Sequence, residues 1–246
     1  MLFEAQHLHK RFGDTVVLED ITVSFAENQV SGIMGPNGAG KTTCFNVLTG
    51  HYKPDRGKVL FGGEDITGLP ERVIARKGIS RSFQIMNVFD EYSVLQNVMV
   101  ALPEVRGRGF NMFLNVAGSS EIQDRAWEVL KKIGLEEHAT QDAKDLSYGN
   151  KRILEIGIAL AAAPRLLFLD EPTQGLGSDQ TSILAELIQE LRKLTTIVII
   201  EHDMPFLFGL ADTISVIHWG QIVARGTPGE LKQNKWVQAS NLGKIE

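Results

Sequence analysis

The chain is poor in cysteine, in aromatic residues and in uninterrupted apolar runs, and it carries no surplus of positive charge. Cys44 is its single cysteine, which excludes an intrachain disulfide framework and fits a reducing compartment. With 25 Lys and Arg against 30 Asp and Glu the formal net charge is −5. That balance offers no overall attraction to nucleic acid or to an anionic membrane surface, and no nucleic-acid partner is expected. The longest apolar stretch, 153–169, is broken by Glu155, Pro164 and Arg165, so it does not span a bilayer. The N-terminus, MLFEAQHLHKRFG, meets charge before any apolar run and does not read as a secretory signal. These absences point to a soluble cytoplasmic protein that reaches a membrane only through another chain.

What is present is an ordinary globular composition, 43% hydrophobic and 22% charged over 246 residues. That length suits one large domain, or one with an inserted subdomain. Residues 1–30 read as antiparallel strands around a turn at Gly13-Asp14, and residues 57–77 return to that part. Val30–Met34 is a short apolar strand running into a glycine-rich loop, followed by a helix over Lys41–Thr49 that stops at Gly50. Another strand is expected within Gly78–Phe83. From Ser93 to Ala162 the apolar period becomes helical, interrupted by a loop over 103–118. The last third alternates strands (166–169, 197–200, 214–217) with helices (182–194, 205–211), the rhythm of a parallel sheet. The predicted fold is α/β. Its core covers 31–56, 78–86 and 163–220, with a helical insertion over 87–162 and a C-terminal extension over 221–246.

GPNGAGKTT, from Gly35 to Thr43, satisfies the G-x-x-x-x-G-K-[ST] pattern and lies between an apolar strand and a helix. Glycines at that spacing let consecutive backbone N–H groups turn inward around phosphate oxygens, and the helix adds its positive end. Gly35, Pro36, Asn37, Gly38, Ala39, Gly40, Lys41, Thr42 and Thr43 therefore form a candidate nucleotide-phosphate cradle. Lys41 reaches the β- and γ-phosphates, and the Thr42 hydroxyl is a Mg²⁺ ligand. Leu166-Leu-Phe-Leu-Asp170-Glu171 is an apolar strand ending in two carboxylates, at the strand end where parallel sheets hold ligands. Asp170 is the candidate for the Mg²⁺ shell and Glu171 the candidate base for water attack on the γ-phosphate.

With these motifs the chain resembles, over essentially its whole length, the ATP-binding subunits of ABC transporters. LSYGN (Leu146–Asn150) is similar to the family's LSGGQ signature and lies ahead of the acidic strand. The resemblance implies a P-loop NTPase with a RecA-like parallel-sheet core, an N-terminal antiparallel β subdomain and an inserted helical subdomain. It implies ATP and Mg²⁺ as ligands. Gln84, in GISRSFQ, matches the glutamine that senses Mg²⁺ and the attacking water. His202, in IIEHDM, matches the histidine that contacts the γ-phosphate. Phe12 stands where the family places an aromatic that stacks on adenine, with Val17 beside it. Ser147 and Gly149 of a second ATP-binding subunit, identical or different, would close over the same γ-phosphate. Two departures stand out: Asn150 where glutamine is usual, and Gly177 where many members have aspartate. The second bears on communication between the two sites of a dimer.

GISRSFQ, EHDM and the tail GTPGELKQNKWVQASNLG resemble the ATPases of branched-chain amino acid uptake systems, with related urea and amide systems sharing much of the pattern. The resemblance implies polytopic membrane permease subunits as partners and, through them, an external solute-binding protein. It places the chain on the inner face of the cell membrane. Asn87, Val88, Phe89 and Phe110 are candidates for receiving a short helix of the permease, and Trp236 and Leu242 for an amphipathic tail helix. Cys44, directly after the phosphate loop, is expected to report nucleotide occupancy when alkylated. A soluble ABC ATPase, as in iron–sulfur cluster assembly, and a nucleotide-dependent binding module with little turnover are the alternative functions compatible with the same motifs.

Overall fold

The computed structural model describes residues 1–82, 88–106 and 119–239. Two sheets divide the strands. The first has the order β2-β1-β4-β5, from β1 (Phe3–Phe12), β2 (Thr15–Phe25), β4 (Arg56–Phe61) and β5 (Glu64–Asp65). Its described pairings are antiparallel. The second has the order β10-β9-β3-β8-β7-β6. It is built from β3 (Val30–Met34), β6 (Ile79–Arg81), β7 (Leu166–Asp170), β8 (Thr196–Ile200), β9 (Thr213–His218) and β10 (Gln221–Gly226). Strands β6, β7, β8, β3 and β9 run parallel, while β10 folds back antiparallel on β9.

Every residue of β3, β7 and β8 is buried, and the two-residue period of a strand decides what each one meets. Leu166, Phe168, Val198, Ile200 and Ile33 face the antiparallel sheet and α1 (Lys41–Leu48). Leu167, Leu169, Ile197, Ile199 and Met34 face the helical side. Phe168 centres the first layer, edge-on to Phe3 at 5.6 Å, Phe25 at 6.1 Å and Phe45 at 5.9 Å. Such edge-to-face pairs add to simple burial. The two cores share one sheet, so both subdomains are fixed relative to the strand ends that carry the polar residues.

The other helices are α2 (Glu71–Arg76), whose Ile74 joins the core under the antiparallel sheet, α3 (Val94–Met99), α4 (Pro103–Arg106), α5 (Ser120–Ile133) and α6 (Tyr148–Ala161), then α7 (Ser178–Leu191), α8 (Met204–Leu210), α9 (Pro228–Gln233) and α10 (Lys235–Ala239). Helix α3 opens with a reciprocal capping box between Ser93 and Gln96, which satisfies two otherwise orphaned N–H groups. Asn97, fully buried, accepts from Phe89 N at 2.7 Å and donates to the carbonyls of Phe89, Tyr92 and Ser93.

Three expectations need correction. Pro103–Arg106 is a helical turn rather than loop, with Pro103 in the first-turn position that tolerates its missing N–H. Helix α7 starts at Ser178, four residues before the expected start at Ser182; Gln180 at its third position reaches back to Gly177 N, so the helix is set by its cap before its apolar face begins. Residues 221–226 belong to the core sheet, not to an appended tail. The hairpin that returns them turns at Trp219 (φ 46) and Gly220 (φ 72), the pair of left-handed positions a tight strand connection requires. Glycine serves this turn for a second reason, since a Cβ on Gly220 would stand 2.4 Å from Val17 O.

Candidate nucleotide site

Lys41, Asp170, Glu171 and His202 sit at or just beyond the carboxyl ends of three adjacent strands, β3, β7 and β8. After Met34 the chain turns through Gly35–Gly40 into α1, with left-handed backbone at Gly38 (φ 77) and Gly40 (φ 99). Gly40 is the N-cap of α1 and contributes no side-chain hydrogen bond. The helix therefore presents its first N–H groups, and the positive end of its dipole, without a competing side-chain acceptor. A Cβ at Gly40 would stand 2.9 Å from Val17 O, so the loop and β2 touch backbone to backbone. The β9–β10 turn adds a brace, Gly220 N donating to Ala39 O at 3.1 Å.

Lys41 is buried, and its ammonium donates to Gly35 O at 2.8 Å and Pro36 O at 3.0 Å. Burial lowers its pKa, while Glu171, Asp170 and Glu201 act in the opposite direction. The strand order and these fields bring Lys41, Asp170 and Glu171 into one site. Asn37, Gly38 and Thr42 are exposed; Pro36 and Thr43 are partly covered.

Asp170 is 4% exposed and its Oδ1 is a buried atom with no hydrogen-bond partner. Burial, with Glu171 beside it, pushes its carboxyl up to about 6, although Arg81 and Arg152 pull the other way. Glu171 follows with a left-handed backbone (φ 43) and a side chain 15% exposed. His202 reaches over from the end of β8; its Nδ1 lies 3.7 Å from Glu171 Oε1 and 3.5 Å from Glu201 Oε2.

Phe12, at the end of β1, is 44% exposed. Its ring meets Tyr52 edge-on at 5.3 Å, with Lys10 Nζ 5.4 Å from its centroid. Val17 is half-buried on β2. Ser147 is exposed and caps α6, accepting from Asn150 N at 3.2 Å. Gly149 is buried against Gln180. Among the described residues no hydrogen bond or ion pair joins Ser147 or Gly149 to Gly35–Thr43. Phe89 is 56% exposed and stacked on Tyr92 at 5.3 Å, and Val88 packs partly against the helical core. Gln84, Asn87, Phe110, Leu242 and the side chain of Trp236 lie outside the described residues.

The expectation for Cys44 is overturned. Its side chain is fully buried and desolvation pushes the thiol up to about 12, so neither exposure nor thiolate is available to an alkylating reagent. Two residues were missed from sequence. Glu201 is fully buried and accepts from Thr173 N (3.0 Å), Thr173 Oγ1, His202 N (2.8 Å) and Asp203 N (3.2 Å). TIVIIE repeats the apolar-strand-then-carboxylate pattern of LLFLDE, which was the signal to use. Arg152 is a buried cation on α6 with no such mark, since a polar residue on a helix is ordinarily solvated.

Comparison with known proteins gives this arrangement a family. Residues 18–174 match the sequence profile of the ABC transporter family. The chain is 41% identical over 249 aligned residues to the "High-affinity branched-chain amino acid transport ATP-binding protein LivG" of Salmonella typhimurium, covering 98% of each. Its fold superposes on the ADP conformation of an ATP-binding cassette of an ABC transporter with a TM-score of 0.87, 29% identity and 99% of each chain covered. It also superposes on a dimeric post-hydrolysis cassette bound to ADP and Pi, with a TM-score of 0.76, 25% identity, and 92% and 98% of the two chains. The chain belongs to the ABC transporter family. It is an ATP-binding cassette of the transporter ATPases, with the antiparallel, parallel and helical parts of that fold.

Proposed function

We propose that this chain is the ATP-hydrolysing subunit of an importer for branched-chain amino acids or related small polar solutes such as amides and urea. Identity of 41% to LivG across nearly the full length of both chains carries that reading. No described helix is long and apolar enough to cross a membrane. Membrane permease subunits therefore supply the pathway, and an external binding protein supplies the solute. The chain works from the inner face of the membrane, with Phe89, held by the Asn97 side chain, and Val88 at the permease-facing edge.

The site residues divide the chemistry as follows. Phe12 and Val17 receive the adenine. The Gly35–Thr43 amides and Lys41 hold the β- and γ-phosphates. Asp170 fits a divalent cation: its Oδ1 is a buried acceptor without a partner, a donor that a hard cation satisfies. Asp170, Thr42 and Gln84 would hold Mg²⁺, which when bound neutralises charge on the β- and γ-phosphate oxygens. Glu171 accepts a proton from water as the water oxygen bonds to the γ-phosphorus. The bond from that phosphorus to the β–γ bridging oxygen breaks, giving ADP and inorganic phosphate. His202, beside Glu171, orients the γ-phosphate and the water. Ser147 and Gly149 of a second subunit close the site, so two ATP molecules join two subunits and hydrolysis releases them.

Isolation of the chain from its native membrane, with identification of what accompanies it, tests the assignment. Co-purification with a polytopic permease whose ATPase is stimulated by a solute-loaded binding protein is the expected result. A stable complex without any membrane protein would overturn the transport role and favour a soluble ABC ATPase.

A further inference from the structure

Glu171 occupies a backbone conformation that side chains rarely adopt, φ 43. Such strain persists only where the surroundings over-determine it. Two sets of bonds do so. Glu171 N donates to Ile200 O at 2.8 Å. On the other side, the guanidinium of Arg152 spans consecutive carbonyls of the same turn. Its Nη2 donates to Asp170 O at 2.7 Å and Glu171 O at 2.9 Å, and its Nε to Pro172 O at 3.4 Å. Nη1 donates to Glu155 Oε2 at 2.6 Å, and both side chains are nearly inaccessible, 4% and 3%. A planar guanidinium spreads its donors at fixed angles across carbonyls of three residues; an ammonium gathers its rotatable donors at one point and does not span them in the same way.

Arg152 lies on α6, four residues past Tyr148, and Ser147 is the N-cap of that helix. A second contact ties the same helix start to the chain beyond Glu171. Tyr148 Oη donates to Gln174 O at 3.1 Å. The ring lies so close over Gly175 that a Cβ there would come within 2.9 Å of it.

We propose that Arg152 is a positioning residue for hydrolysis. It holds the Glu171 turn so that the carboxylate faces the attacking water, and with Tyr148 it locks that turn to the helix bearing Ser147. The group that closes on a partner's γ-phosphate and the base that acts on the subunit's own are then parts of one rigid piece. The proposal rests on the reading of Glu171 as the base.

The test compares Arg152→Lys, Tyr148→Phe and the double substitution Arg152→Met with Glu155→Met, which removes the ion pair without stranding a charge. For each, ATP affinity, kcat, KM and urea unfolding are measured. Arg152→Lys and the double variant should keep ATP affinity and KM within about twofold while kcat falls about tenfold or more, since small misplacements of a reacting group carry costs of that size. Arg152→Lys placed in a Glu171→Gln background should still form the ATP-joined dimer. Tyr148→Phe, which keeps the ring and removes an exposed hydrogen bond, should lower kcat about two- to fivefold with unfolding little changed. Should the double variant fail to fold, Arg152→Lys and Tyr148→Phe decide. A folded Arg152→Lys with kcat within about twofold of the unmodified chain overturns the proposal, as does a loss of kcat that only tracks lost stability. If Glu171→Gln alone hydrolyses ATP normally, the reading of the base has failed. If it is inactive while the Arg152 variants turn over normally, only the positioning role has failed.

Discussion

Glu201 and Thr173 are joined twice across the floor of the site: one carboxylate oxygen of Glu201 accepts both the backbone N–H and the hydroxyl of Thr173. Its other oxygen accepts the N–H groups of His202 and Asp203. The loops after β7 and β8, which carry Glu171 and His202, are thereby knotted through a carboxylate with no exposure. Glu201→Ala strands the buried Thr173 donors and frees two part-buried N–H groups, so it should cost on the order of 2–4 kcal/mol in urea unfolding. A loss below about 0.5 kcal/mol, the range of surface substitutions, would show that the knot is not structural.

Lys41→Ala removes the ammonium that burial and the Gly35 and Pro36 carbonyls hold at the loop. A charged hydrogen bond to phosphate is worth roughly 1.5–3 kcal/mol, so ATP affinity should fall about tenfold to a hundredfold. Titration calorimetry showing unchanged affinity would refute the phosphate-loop assignment.

Asp170 makes the nucleotide-free chain sensitive to pH. Its carboxyl is pushed from 3.8 to about 6, chiefly by desolvation and then by Glu171. The folded chain holds this proton more tightly than the unfolded chain, so the stabilisation it brings is complete below pH 3.8 and lost as pH rises through about 6. The resulting penalty at neutral pH is at most on the order of 2–3 kcal/mol. Asp170→Asn should therefore unfold at higher urea than the unmodified chain at pH 7.5, with the advantage vanishing near pH 4. An advantage that is absent at pH 7.5, or the same at both pH values, would contradict the assignment. With Mg²⁺ and ATP the order should reverse, because the substituted chain loses a cation ligand.

Cys44 should resist thiol reagents in the folded chain, with or without ATP, and react once urea unfolds it. Both its burial and its thiol near 12 require this. Rapid labelling protected by ATP would restore the occupancy-reporter role that its place beside the phosphate loop suggested.

Much of this architecture is legible in the sequence because its signals are local. The phosphate loop pairs a glycine pattern with a lysine on a strand–helix junction. The core strands are unbroken apolar runs, since helices or the second sheet cover both faces. Helix starts were less legible where a cap precedes the apolar face, as at Ser178. Strand β10 escaped because its half-buried residues lack the alternation or continuous apolarity that marks a strand. Arg152 and Glu201 escaped for a different reason. Beside near neighbours such as Glu155, His202 and Asp203, their partners are backbone groups 18–28 residues away in the chain, and only the fold brings those carbonyls and amides to them.

The central claim is that Glu171 activates water on an ATP that also joins two subunits. Glu171→Gln with ATP and Mg²⁺, followed by phosphate release and gel filtration on the same sample, tests it most directly. The account predicts unchanged ATP binding, hydrolysis lowered by about a hundredfold or more, and a stable dimer that returns to monomer when ATP is withdrawn. Phosphate release at the unmodified rate, or loss of hydrolysis with no ATP-dependent dimer, would contradict it.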